Sequence, residues 1–430
     1  MTVADSSPST EAARVSGVLI SVVIVLGAVA PLATDMYVPG FPAVAGDLGV
    51  SASTVQLTLT TFFVGMGLGQ LIGGPVSDQR GRRRPLLAGA VVMTVASVAC
   101  AVAPNAGVLL AARFVQGFGG GWAMVVSRSV IVDVAQGHQL VRALNVIMGV
   151  GGIAPIVSPL LGALVLQTWG WRATFWLLAA AGVAMTMFAH LAVPESLPVE
   201  RRHGGGLARF GTSARIVLGN RRYVGYVIAT SASFVSLFAY VAASPFVLQT
   251  MNGLDPVGYS IVFAINAAAM TVAALASARL AGRVPTRSVI LTGQVVALAA
   301  AVMLLAAALW LGTPLILAGV GFLAIMVSQG LINGNAGALA SSAVPEHPGT
   351  GSAVLGLLQW TTAGIVAPLV GLGGTHTAVP MAVAMVAGAV VSLVGPLVIA
   401  RPDPGHPLQD RTAEPAVEQA GDGSTVGART

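Results

Sequence analysis

The sequence predicts an all-α membrane protein, with twelve transmembrane helices in two pseudo-symmetric six-helix bundles. Three observations predict it: the scarcity of charge, the number of apolar runs, and the placement of the arginines. Hydrophobic residues make up 55% of the 430 and charged residues 8%, with a mean hydropathy of +0.85. A soluble domain carries about a quarter charged residues. At about 20 residues per crossing, the length allows roughly twelve helices and no sizeable soluble domain. The net charge of +6 does not imply nucleic acid, because the 21 basic residues are all arginines and, Arg113 apart, lie in short turns and tails. Cys100 is the single cysteine, so no intrachain disulfide is possible. No metal-ligand cluster, nucleotide-binding loop or nucleophile triad appears, so no metal, cofactor or enzymatic chemistry is expected.

Apolar runs fall at 16–38, 54–76, 85–104, 108–129, 141–166 and 172–193, then at 222–249, 258–280, 287–311, 314–340, 350–374 and 378–400. The first run lacks a small-residue cleavage site and contains an acid, so it counts as a crossing rather than a signal peptide. Twelve crossings put both tails on one side. The N-tail, the turns after even-numbered runs and the C-tail together hold 19 arginines; the opposite loops hold Arg172, and Arg113 lies inside the fourth run. Basic loops stay cytoplasmic, so both termini are expected there, in a multi-pass inner-membrane protein. Residues 1–15 read as an N-tail, 16–193 as the first bundle, 194–221 as a cytoplasmic linker, 222–400 as the second bundle and 401–430 as a disordered tail. An internal echo supports the duplication: Gly282 and Arg283 answer Gly81 and Arg82, although Arg279 stands where Asp78 stands.

The segment Gly74-Pro-Val-Ser-Asp78-Gln-Arg80-Gly81-Arg82-Arg83-Arg84-Pro85 must turn the chain tightly between two crossings. Its arginines orient the turn, but Asp78 is more than orientation requires. An acid at a helix C-terminus opposes the dipole unless something offsets it. The segment therefore reads as a conformational latch, with an ordinary positive-inside turn as the alternative. Asp35 is the carboxylate inside an apolar run, about one turn from the end of its helix. Charge at that depth faces a water-filled cavity or a partner, and proton uptake and release there become feasible near neutral pH. Arg113 lies at similar depth in the fourth run, so the two can communicate directly or through water. A structural ion pair is the alternative.

Twelve runs, a central linker and this turn resemble the major facilitator superfamily. Gly74, Asp78, Gly81, Arg82 and Arg83 match its signature between helices 2 and 3, while Gln79 replaces the usual arginine. The resemblance implies that Asp78 pairs across the interface between the halves and stabilises the outward-open state. Arg113-Phe-Val-Gln116-Gly117 resembles the family's helix-4 signature, associated with proton coupling. Pro155, Pro159 and Gly162, among the small residues Ala154, Ser158 and Ala163, look like the antiporter signature of helix 5; a plain packing kink is the alternative. Thr34-Asp35-Met-Tyr37-Val-Pro39, the Arg128 and Asp133 pair, and Ser244-Pro245-Phe246 narrow the likeness to the bicyclomycin-resistance branch of drug:proton antiporters.

That resemblance implies export of small lipophilic antimicrobials in exchange for protons, by a monomer in the bilayer, with Asp35 as proton carrier and Arg113 modulating it. Tyr37, Gln116, Asn145, Met148, Phe234, Phe238, Tyr240 and Asn266 are the candidate substrate-cavity residues, since an apolar cavity with few polar anchors suits such cargo. Export of an endogenous metabolite is the alternative. A non-transporting receptor or scaffold fits less well, having no use for costly intramembrane charge.

Overall fold

The computed structural model describes residues 32–134, 137–202, 206–346 and 348–399, with the backbone alone at 137–151, 201, 206–210 and 348. Eleven helices among them are long and apolar enough to cross a bilayer. Most of the first apolar run and the C-tail lie outside the described residues. The run's described end is helical from 32 to 35, then tightens into a 3₁₀ turn at Val38–Gly40.

A short helix missed in the sequence, α1 (Phe41–Leu48), follows. The remainder of the first half is α2 (Ala52–Arg80), α3 (Arg83–Ala101), α4 (Ala106–Val134), α5 (Gly137–Trp169) and α6 (Trp171–Ala192). The second half is α7 (Arg221–Pro245), α8 (Pro256–Leu280), α9 (Thr286–Trp310), α10 (Leu315–Ser342), α11 (Pro348–Val370) and α12 (Val379–Val394). Polar residues set the starts: Ser51 accepts from the Thr54 amide, Asn220 from Arg222 and Tyr223, and Asp255 from Val257 and Gly258. Two runs read as uniform change pitch near proline, α7 into a π-turn at Phe246–Met251 and α12 into one at Gly395–Ile399. The stretch 194–221, expected as a cytoplasmic linker, contains a helix at Gly206–Gly219.

Packing within the first half depends on glycine. α2 and α4 cross so closely that a Cβ on Gly65 or Gly69 would overlap the carbonyls of Phe114 and Phe118. Reciprocally, a Cβ on Gly117 or Gly121 would overlap those of Phe62 and Met66. Lipid tails are as apolar as leucine, so close backbone approach supplies the association that water would otherwise drive. In the second half, α10 packs against α7, α8 and α9, and α12 against α7 and α9. The halves meet along α2–α11 and α5–α8. The sequence echo is also conformational: Gly81 and Gly282 both hold positive φ, 89° and 80°.

Replacing Gly69 with valine should destabilise the protein by about 1–3 kcal/mol through overpacking. Gly334, with open space around it, should accept alanine within about 0.5 kcal/mol. Thermal unfolding in detergent compares the two; equal effects would refute the crossing's dependence on glycine.

Candidate functional site

Arg113 is fully buried near the end of the bundle opposite the 78–84 turn. One Nη1 donates to the Ala33 carbonyl at 3.0 Å and to Gln116 Oε1 at 2.7 Å. The guanidinium carbon lies 4.4 Å from the Phe62 ring centroid, 5.0 Å from Tyr37 and 5.7 Å from Phe175. Aromatic faces stabilise a desolvated cation through their quadrupoles. Nε and Nη2 have no hydrogen-bond partner among the described residues.

Asp35 sits at 8% exposure and accepts from the Thr34 hydroxyl at 3.0 Å. The two candidates are therefore neighbours but not an ion pair: Arg113 reaches the backbone two residues before the acid. The turn that follows Asp35, Val38–Gly40, packs against α7 and α8 of the other half, and its Pro39 carbonyl accepts from Gln249.

The expected cavity residues are mostly closed over. Gln116 is satisfied by Arg113 and by Ser97, to which its Nε2 donates at 2.8 Å. Tyr37 accepts from Thr58, and Asn266 donates to the Tyr240 hydroxyl at 3.0 Å. Phe234 and Phe238 pack on each other, and Phe238 packs with Phe63 of α2 and Trp360 of α11. Trp360 and Phe63, 5.3 Å apart, were missed in the sequence; a tryptophan inside an apolar run was the available signal. The side chains of Asn145 and Met148 lie outside the described residues.

The reason is a clasp between the halves. Gln249 donates to the Pro39 carbonyl, Gln56 to Ala242, Ser53 to Pro368, and Gln167 to Asp255, over 2.9–3.2 Å. All lie toward the end opposite the arginine-rich turn. At that end Arg172 stacks on Trp171 and, with the Trp171 indole, donates to Asp47. These bonds hold the exposed Asp47 carboxyl below its usual range, Arg172 contributing most.

Within helix 5's motif, Gly162 admits the Met36 carbonyl, which a Cβ would strike. The Pro159 carbonyl accepts from Ser260 of α8 at 2.9 Å, and Pro155 lies within the same helix. That helix therefore touches both the end of the first run and the other half.

The turn is knitted to its own half. Gly81 reverses the chain, and a Cβ there would collide with Glu195. Arg82 bonds Asp78 at 2.5 Å, Asp133 at 2.9 Å and Ser77 at 2.6 Å, while Ser77 donates to the Gly74 carbonyl. Its backbone amide donates to Glu195, and Arg83 donates to the His190 carbonyl at 2.7 Å. Burial opposes the Arg82 charge, but its hydrogen bonds to Asp133 and Asp78 outweigh it and raise the pKa. The cross-interface contact expected of Asp78 is thus not made among the described residues, because the halves clasp at the opposite end. Asp133, paired in the sequence with Arg128, instead serves Arg82. Glu195 was not anticipated, since its partner is 113 positions away.

A family model, Major Facilitator Superfamily, matches residues 23–368. The chain belongs to that superfamily. Among its transporter relatives, an MFS-type transporter of Bacillus subtilis strain 168, YdgK, named as uncharacterized, is 35% identical over 87% of this chain and 92% of its own length. A bicyclomycin resistance protein homolog of Haemophilus influenzae is 29% identical over 86% and 93%. The xylose transporter XylE of E. coli, in a partially occluded inward-open conformation, superposes with a TM-score of 0.66 at 16% identity, over 87% and 96%, a likeness of fold. The superfamily's twelve-helix plan accommodates the eleven described spans plus the first run, and the relatives' names bear out the branch read from the motifs.

Arg82's two acids should contribute unequally, because the Asp78 side chain is 53% exposed and that of Asp133 19%. Asp133→Asn should cost about 2 kcal/mol, as a lost charged hydrogen bond does. Asp78→Asn should cost less than about 1 kcal/mol. Thermal unfolding of the two variants tests the ranking, and a larger loss for Asp78→Asn would overturn it.

Proposed function

We propose that this superfamily transporter is a proton-coupled antiporter that exports small lipophilic compounds by alternating access. The observation that carries the reading is Asp35, a nearly buried carboxylate with no cation in ion-pair contact among the described residues, three residues before a turn that packs against the opposite half. A rocking of the halves would change the surroundings of this acid more than those of any residue packed within one half. In one position the carboxylate is enclosed and favours a proton; in the other, water stabilises its charge. Arg113, held by aromatic faces and by the Ala33 carbonyl two residues before Asp35, supplies a fixed positive charge that favours proton release when the site opens.

The clasp formed by Gln56, Gln249, Ser53 and Gln167 closes one end of the path, and the Arg82 network rests at the other. With the arginine-rich end cytoplasmic, this arrangement is the inward-facing stage, and Asp78 would reach across the interface only in the outward-facing one. The Phe63, Phe238 and Trp360 cluster, which spans the halves, offers an apolar lining once it parts. The resistance name of the Haemophilus influenzae relative favours antimicrobial cargo. Proton entry down a membrane potential releases ~2.3 kcal/mol per 100 mV, enough to drive such a cycle.

Asp35→Asn should reduce proton-driven efflux in proteoliposomes to the level of protein-free vesicles, while the variant still inserts and elutes as a folded species. Undiminished gradient-driven efflux from that variant would falsify the assignment of Asp35.

A further inference from the structure

We propose that the cleft between the arginine-rich ends of α2 and α3 binds the headgroup of an anionic phospholipid. The cleft measures about 570 Å³ and is lined by Arg80, Arg84 and Arg202 together with Gln79. The rest of its lining is apolar: Val76, Pro85, Ala88 and Trp122. Arg80 and Arg84 are exposed and enter no ion pair among the described residues. The nearby acids are partnered: Asp78 receives Arg82, and Glu195 receives the Arg82 amide and, at 3.9 Å, Arg202, whose Nε also donates to the Leu197 carbonyl. The cleft is thus cationic, with room for a negative group at the two arginines without an ion pair, Arg80 and Arg84, and beside Arg202.

The shape of the surroundings selects a lipid over a free anion. Along α3 the exposed positions Arg84, Ala88, Val91 and Val95 form one stripe at helical spacing, charged at its end and apolar beyond. An amphiphile laid on this stripe would place phosphate on the arginines and an acyl chain over alanine and valine. A free phosphate would gain nothing from the apolar part. Trp122 is wedged between Gly73 and Gly89 at the cleft's inner end, and its indole Nε1 has no acceptor among the described residues. Its ring adds apolar surface to the cleft lining, while the Nε1 itself is enclosed. Clustered arginines at a membrane surface each attract anionic lipid by about tenfold or less at physiological salt. Arg202 belongs to the segment after α6, so a bound headgroup would bridge that segment to the α2–α3 turn.

The test uses the full-length protein, purified and delipidated in detergent, titrated separately with phosphatidylglycerol, phosphatidylcholine and inorganic phosphate. Thermal unfolding and native mass spectrometry read binding. Phosphatidylglycerol should raise the unfolding temperature and remain bound, while the other two should do neither. Arg80→Gln/Arg84→Gln should weaken the apparent phosphatidylglycerol affinity roughly tenfold or more. Ala88→Phe, which fills the exposed cleft without altering charge, should weaken it comparably, even if the double variant proves unstable. Arg279→Gln/Arg283→Gln removes the same charge outside the cleft and should leave the affinity within about twofold. Equal stabilisation by phosphatidylcholine, stabilisation by phosphate alone, an unchanged Ala88→Phe, or an equal loss in the outside pair would each overturn the proposal.

Discussion

Arg113 carries a charge that water does not reach, and accommodating it organises the first half. A guanidinium is protonated at any relevant pH, so its environment must adapt to it. Three helices supply aromatic faces or an amide, and the first run supplies a backbone carbonyl. The donors and rings converge only because α2 and α4 approach through Gly65, Gly69, Gly117 and Gly121. With bulkier residues at that crossing, Phe62 would be held away from Arg113 and the cation would lose its face. Helix packing and charge burial are therefore one problem here, solved by the same four glycines.

The second constraint is that the halves share few strong bonds. Those joining them are mostly single hydrogen bonds from glutamine or serine to a carbonyl, concentrated at one end. Each is worth about 1 kcal/mol net, so the clasp can open without breaking either half. The ionic contacts, by contrast, sit inside the first half around Arg82 and at the Asp47–Arg172 pair. Strong interactions keep the bundle rigid and weak ones separate it from its partner. That division suits rocking motion.

The amount legible in the sequence followed the range of the interactions involved. Helix positions were readable because each crossing needs an apolar run of fixed length. The turn was readable because glycine at positive φ and the arginines beside it are local requirements, and its repeat at Gly282 kept the same backbone. Asp35 and Arg113 stood out because charge is rare among apolar neighbours. The π-turns after Pro245 and around Pro396, and the helix within 194–221, were less visible; pitch changes alter no composition. Tyr37, Gln116, Tyr240 and Asn266 were polar or aromatic in the right helices, but their partners were not written nearby.

By itself the sequence determined the solvent, the number of crossings, the duplication and the superfamily, because those follow from composition and short-range pattern. Tertiary structure alone decided that Arg82 brings Asp133 and Glu195 to the turn, that Arg113 rests on rings rather than on Asp35, and that the turn after Asp35 packs on the other half. Each of those facts depends on which helix faces lie together, over separations of 51 to 113 residues in the turn's case. A periodic apolar run states that a face exists. Its neighbour is fixed only when glycines, carbonyls and rings fit, and that fit is a property of the packed whole.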